Sequence, residues 1–198
     1  MTPHNDPTVQ PVPHAVTAAV DAADSTLQNP RTAVLALGSN LGNRLETLQG
    51  AVDALEDTPG VRVKAVSPVY QTEPWGVPAG SQPDYFNAVV LVRTTLPPED
   101  LLERGHAIEE AFLRVRSERW GPRTIDVDIV AYEDAVRDDP RLTLPHPRAH
   151  ERAFVLVPWH DVQPAAVLPG RGSVAELAAS VDRGGVRRRA DVELRLPE

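Results

Sequence analysis

The chain has 198 residues, a mass of 21.5 kDa, no cysteine and a formal net charge of -8. That length suits one domain with tails, the lack of thiols excludes disulfides and zinc–thiolate sites, and the acidic balance opposes general binding to nucleic acid, which needs clustered Lys and Arg. No stretch reaches the ~20 apolar residues of a membrane helix, and residues 1–6 carry no basic residue and lead into no apolar run, so a cytoplasmic protein without a secretory signal is expected.

Residues 1–30 contain five prolines and no Lys or Arg, and are expected to be a tail without fixed structure. A folded domain is expected over 31–182, with a C-terminal tail over 183–198. The apolar run 33–37, ending in Gly38-Ser39-Asn40, reads as a buried central strand. Gly42-Asn43 then opens a helix whose Leu45, Leu48, Val52 and Leu55 share one face, and Pro59-Gly60 stops it. Val61, Val63 and Ala65 alternate as a second strand running on toward Tyr70. Between 72 and 84, Pro74, Gly76, Pro78, Gly80 and Pro83 predict an irregular loop, and loops of that length inside compact domains usually serve function. A third strand over 85–93 puts Tyr85, Asn87, Val89 and Leu91 on one face. Pro97-Pro98-Glu99 begins a second helix, with Leu101, Ile108, Phe112 and Val115 as its buried stripe. A fourth strand follows over 123–131.

The order strand, helix, strand, strand, helix, strand predicts an α+β, ferredoxin-like βαββαβ sandwich, with a mostly antiparallel sheet and helices packed on one face. Beyond it, Pro145, Pro147, Pro158, Pro164 and Pro169 predict short pieces, with a last short helix over 173–181.

Four arginines, Arg114, Arg116, Arg119 and Arg123, fall within ten residues, opposed there only by Glu118. An acidic chain that concentrates arginine in this way suits a compact polyanion, although a solvated helix end has the same look. Directly after them, Asp126 and Asp128 share one side of the fourth strand, about 6.6 Å apart, with Ile125, Val127 and Ile129 on the other side. Magnesium takes a few carboxylates together with phosphate oxygens. Anion-binding arginines beside cation-binding aspartates are what phosphoryl transfer needs. Tyr85 and Asn87 together suit a flat heterocycle, one by stacking and the other by offering a donor and an acceptor. The segment Leu142-Thr143-Leu144-Pro145-His146-Pro147 presents one histidine, with Arg141, Arg148 and Arg152 near it. Gly38-Ser39-Asn40-Leu41-Gly42 lacks the Gly-Lys-Ser/Thr ending of a P-loop and reads as a turn.

These segments resemble the 6-hydroxymethyl-7,8-dihydropterin pyrophosphokinases of the folate pathway. The resemblance rests on residues 36–42, 67–74, 82–88, the block Arg119-Trp120-Gly121-Pro122-Arg123-Thr124-Ile125-Asp126-Val127-Asp128-Ile129, and residues 142–147. It implies transfer of pyrophosphate from ATP to the pterin, with two magnesium ions at Asp126 and Asp128 and catalytic roles for Arg114, Arg123, Asp126 and Asp128. ATP would be held by Glu109, Arg114, Arg116, Trp120, Arg123, Ile129, Arg141, Thr143, His146 and Arg152. The pterin would stack between Tyr85 and Phe154, with Asn87 reading its edge and Thr72, Trp75 and Trp120 completing the pocket. The expected protein is a monomer that acts on small molecules without nucleic acid or membrane. Two other readings use the same residues: a metal-dependent nucleotidyl transferase or phosphodiesterase, and a non-catalytic ferredoxin-like module for a ligand or RNA. The net charge and the paired aspartates oppose the second.

Overall fold

The computed structural model describes residues 29–74, 78, 80–112 and 124–197. In chain order these form β1 (Arg31–Ser39), α1 (Arg44–Glu56), β2 (Val61–Val66), β3 (Tyr70–Thr72), β4 (Tyr85–Thr94), α2 (Pro98–Ala111), β5 (Asp126–Tyr132), a 3₁₀ turn at Ala149–Glu151, α3 (Ala153–Val162), β6 (Val167–Leu168), β7 (Gly172–Ser173), α4 (Val174–Ser180) and β8 (Arg187–Arg188). None of the described helices is long and apolar enough to cross a membrane.

The main sheet runs β5-β1-β4-β3-β8, and β2 pairs with the far half of β4. Every pairing in it is antiparallel. The expected βαββαβ core is therefore present. The expected second strand is broken at 67–69, so β2 and β3 each take one half of β4.

Alternation along the strands decides what lies on each face. Ala33, Leu35 and Leu37 of β1 and Phe86, Ala88, Val90 and Val92 of β4 meet Leu48, Ala51, Val52 and Leu55 of α1 and Leu101 and Ile108 of α2. Each of the larger side chains contributes ~1.5–3 kcal/mol by leaving water. Asn43 starts α1 by accepting the Glu46 N–H.

The opposite face is covered too, against the expectation of helices on one face only. Val34, Val89, Leu91 and Val130 pack against Val155, Leu156 and Trp159 of α3 and Val174 and Ala178 of α4. α3 holds Pro158 inside it, where the breaker reading predicted short pieces. A proline removes one helical hydrogen bond, and here the buried Val155, Leu156 and Trp159 hold the helix on the sheet regardless.

Residues 183–197 lie against this body. Arg187 and Arg188 extend the sheet beside β3. Leu194 is buried in the first core, and the Arg195 N–H donates to Gln49 Oε1 at 2.8 Å while Gln49 Nε2 donates to the Arg195 carbonyl.

Candidate active site

Among the described residues, α3 and α4 cover one end of the second face, and the polar residues of the sheet gather at the other. Gly38 of β1 pairs with Asn87 of β4 on one side and with Asp126 of β5 on the other. Directly paired residues point to the same face, so Asn87 and Asp126 rise on either side of a position without a side chain. With strands ~4.8 Å apart, the two lie about 10 Å from each other across that gap. One row along, Ala36 separates Val89 from Asp128. Small residues at 36 and 38 thus form the floor of a trough, with a carboxamide on one wall and two carboxylates on the other. A methyl group on Gly38 would sit 3.0 Å from Asn87 Oδ1 and 3.7 Å from Tyr85 Cδ1.

On the carboxamide wall, Asn87 Nδ2 donates to Thr72 Oγ1 at 2.7 Å, and both residues are buried. That bond fixes the amide plane and turns Oδ1 toward the trough as an acceptor. Tyr85, opposite Thr72 in the sheet, adds its ring to the same wall. Phe154 stands on α3, partly buried against the second core, with the Arg152 guanidinium 5.6 Å from its ring centre.

On the carboxylate wall, Asp126 and Asp128 are part-exposed while Ile125, Val127 and Ile129 are buried, as their alternation required. Among the described residues Asp128 meets two basic groups: Arg152 Nη1 lies 3.5 Å and His146 Nε2 3.9 Å from its Oδ2. The Arg148 backbone N–H donates to His146 Nδ1 at 3.1 Å, which leaves the proton of the neutral ring on Nε2. Burial, reinforced by Arg152, pushes the His146 pKa down to about 4. At neutral pH the ring is an uncharged donor beside a cationic one. That pair suits phosphate oxygens.

Glu109 is 3% exposed and accepts the Val127 N–H at 2.9 Å from the outer edge of β5. The Ile129 side chain belongs to the first core and is closed to a ligand. Arg141 is exposed near Glu103, at 3.8 Å, and Thr143 Oγ1 donates to the Asp139 carbonyl. Arg114, Arg116, Trp120, Arg123 and Trp75 lie outside the described residues. The structure therefore brings Thr72, Tyr85, Asn87, Asp126, Asp128, His146 and Arg152 to one face. It keeps Glu109 and Ile129 at the edge and in the core. Gly38 was missed as a site residue. A glycine inside a strand is the usual sign of close approach by a ligand or backbone, but the sequence alone reads Gly38 as part of a turn, and only its pairing on both sides puts it inside β1.

Asp126 and Asp128 fit a divalent cation by their chemistry. Among the described residues no cluster of three or more His, Cys, Asp or Glu side chains could hold one. A magnesium ion there would take its remaining ligands from water and substrate phosphate, its usual habit.

A mostly antiparallel α+β sheet that sets a wall suited to a cation and phosphate against a wall suited to a flat ring is the frame of a small phosphoryl-group transferase. Residues 34–164 match the model of the 7,8-dihydro-6-hydroxymethylpterin-pyrophosphokinase (HPPK) family, and the chain belongs to that family. It is 48% identical over 157 residues to a 2-amino-4-hydroxy-6-hydroxymethyldihydropteridine pyrophosphokinase of Methylorubrum extorquens, covering 79% of this chain and 97% of that one. It is 46% identical over 161 residues to the protein of the same name from Mycobacterium leprae, covering 76% and 79% of the two. Its fold is similar to a solved Plasmodium falciparum HPPK-DHPS structure, with a TM-score of 0.61 at 15% identity, and the chain spans 48% of that longer protein.

Proposed function

We propose that the protein transfers the pyrophosphoryl group of ATP to the hydroxymethyl group of 6-hydroxymethyl-7,8-dihydropterin, a step of folate biosynthesis. The observation that carries this reading is the Asn87–Gly38–Asp126 row, an amide acceptor and a carboxylate facing each other across an open strand position. A pterin edge presents N–H donors, and Asn87 Oδ1 accepts them. Tyr85 and Phe154 sandwich the ring, with Thr72, Trp75 and Trp120 around it. The nucleotide takes the opposite wall, held by Glu109, Arg114, Arg116, Trp120, Arg123, Ile129, Arg141, Thr143, His146 and Arg152.

Magnesium, in two ions held by Asp126 and Asp128, neutralises charge on the triphosphate when bound. The chain's own residues position and orient. Arg152 and the Nε2–H of His146 donate to phosphate oxygens, while Asn87 and Thr72 set the pterin so that its hydroxyl reaches the β-phosphorus. The new bond joins that oxygen to the β-phosphorus, the bond from the β-phosphorus to the α,β-bridging oxygen breaks, AMP leaves, and the hydroxyl proton passes to solvent. Positioning and charge stabilisation supply the rate. The protein acts as a cytoplasmic monomer, the reading that suits a cysteine-free chain with small-molecule substrates.

The test is incubation with ATP, magnesium and the hydroxymethyl dihydropterin, following AMP by chromatography with and without the pterin. Pterin-dependent AMP with a pterin diphosphate of matching mass supports the reading. Release of pyrophosphate, or no AMP from folded, magnesium-loaded protein, overturns it.

A further inference from the structure

We infer that the C-terminal strand β8 and Arg189 are positioning elements for the pterin end of the site, acting through β3. This rests on the reading that Thr72, Tyr85 and Asn87 meet the pterin. β3 is only three residues long, too short to hold its register by its own ladder, yet it carries Thr72, which fixes the Asn87 amide.

β8 and Arg189, the residue after it, secure β3 from both faces of the sheet. On the first face, Arg189 Nη1 donates to Gln71 Oε1 at 2.5 Å, and Gln71 Nε2 donates to Asp84 Oδ2 at 2.6 Å. Both ends of one carboxamide are thereby used, and they join the C-terminal segment to the residue that precedes β4. Asp191 holds the Arg189 guanidinium from behind, accepting from Nε at 2.7 Å and from Nη2 at 2.6 Å. Arg44 Nη1 takes the Asp84 carbonyl at 2.7 Å. The Phe86 ring lies near both cations, 3.9 Å from Arg44 and 5.1 Å from Arg189. On the second face, Tyr70 donates its hydroxyl to Asp161 Oδ2 at 2.6 Å, and Arg188 lies 3.8 Å from the same oxygen. The backbone completes the hold, with the Arg189 N–H donating to the Val69 carbonyl. Asp84 and Phe86 flank Tyr85, so this chain of contacts sets where the aromatic ring and the carboxamide of the pterin wall stand. None of it touches Asp126, Asp128 or His146.

The test compares wild type with R189A and with Q71L, which removes the middle of the relay and leaves Arg189 in place. With wild-type turnover in hand, the expected result in both variants is a rise of about tenfold in the KM for pterin, with the KM for ATP unchanged. Backbone amides of residues 84–87 should exchange with deuterium faster in both, and this readout needs no turnover. A pterin KM within about twofold of wild type, a parallel rise in both KM values, or unchanged exchange at 84–87 overturns the inference. Absence of pterin-dependent AMP from wild type counts instead against the pyrophosphokinase reading, and the exchange comparison still decides the relay.

Discussion

Glu109 accepts the backbone N–H of Val127, the residue between the two aspartates of β5, at 2.9 Å. Among the described strands β5 lies at the edge of the sheet, so this donor takes its partner from α2 rather than from a neighbouring strand. A buried carboxylate on α2 thus fixes the stretch of chain that aims Asp126 and Asp128. E109A should destabilise the fold by about 2 kcal/mol, the scale of a charge-assisted hydrogen bond lost inside a protein, and lower turnover as well. E109Q, which keeps an acceptor, should recover most of the stability. Urea unfolding of the two variants checks this, and equal losses in both would show that charge rather than the hydrogen bond matters.

Asp126→Asn and Asp128→Asn should each reduce turnover by at least ~10³-fold, which corresponds to ~4 kcal/mol of transition-state stabilisation. Both carboxylates are part-exposed, so the thermal midpoint should hold. Loss of cooperative melting in either variant would point to a structural role instead.

Gly38→Ala separates stability from binding. Alanine suits a strand interior better than glycine by ~0.5–1 kcal/mol, which offsets the tight contact with the Asn87 amide, so the melting midpoint should change little. The added methyl would lie 3.0 Å from Asn87 Oδ1 and fill the floor of the trough, so the KM for pterin should rise about tenfold, a cost of ~1.4 kcal/mol. Steady-state kinetics beside a melting curve reads both; an unchanged pterin KM would remove Gly38 from the site.

His146 makes the ligand-free protein sensitive to mild acid. Its folded pKa is pushed down to about 4 from an ordinary 6.5, mainly by burial. The unfolded chain therefore takes a proton near pH 6.5 that the folded one refuses. The contribution is fully present above pH 6.5 and is lost as pH falls toward 4, on the order of 3 kcal/mol across the window. Urea midpoints at pH 7.5 and pH 5 should differ in wild type and draw together in His146→Gln.

Much of the fold could be read from residue order, because β1, α1, β4 and α2 carry clear periodicity between strong punctuators. α3 was hidden by Pro158, which reads locally as a breaker, whereas the helix survives on the apolar surface it covers. β8 was hidden for a different reason. Arg187-Arg188 has no strand propensity of its own, and it is extended because β3 offers it an unpaired edge. At the site, Asp126, Asp128, Asn87 and His146 could be picked out by chemistry and spacing. Gly38 could not be recognised until the pairing of β1 with both neighbours placed it between Asn87 and Asp126. The Gln71–Arg189 contact joins residues 118 positions apart in the chain, and no local pattern encodes such a meeting.

The reciprocal pairing of Gln49 with Arg195, and Leu194 seated among the core residues beside it, bear on how this protein can be handled in the laboratory. A shortened form ending near residue 182, where Gly184-Gly185 invite a cut, would uncover apolar surface next to α1 and leave β3 as a bare edge, two routes to precipitation. Purification handles belong at the N-terminus rather than on the segment that extends the sheet beside β3.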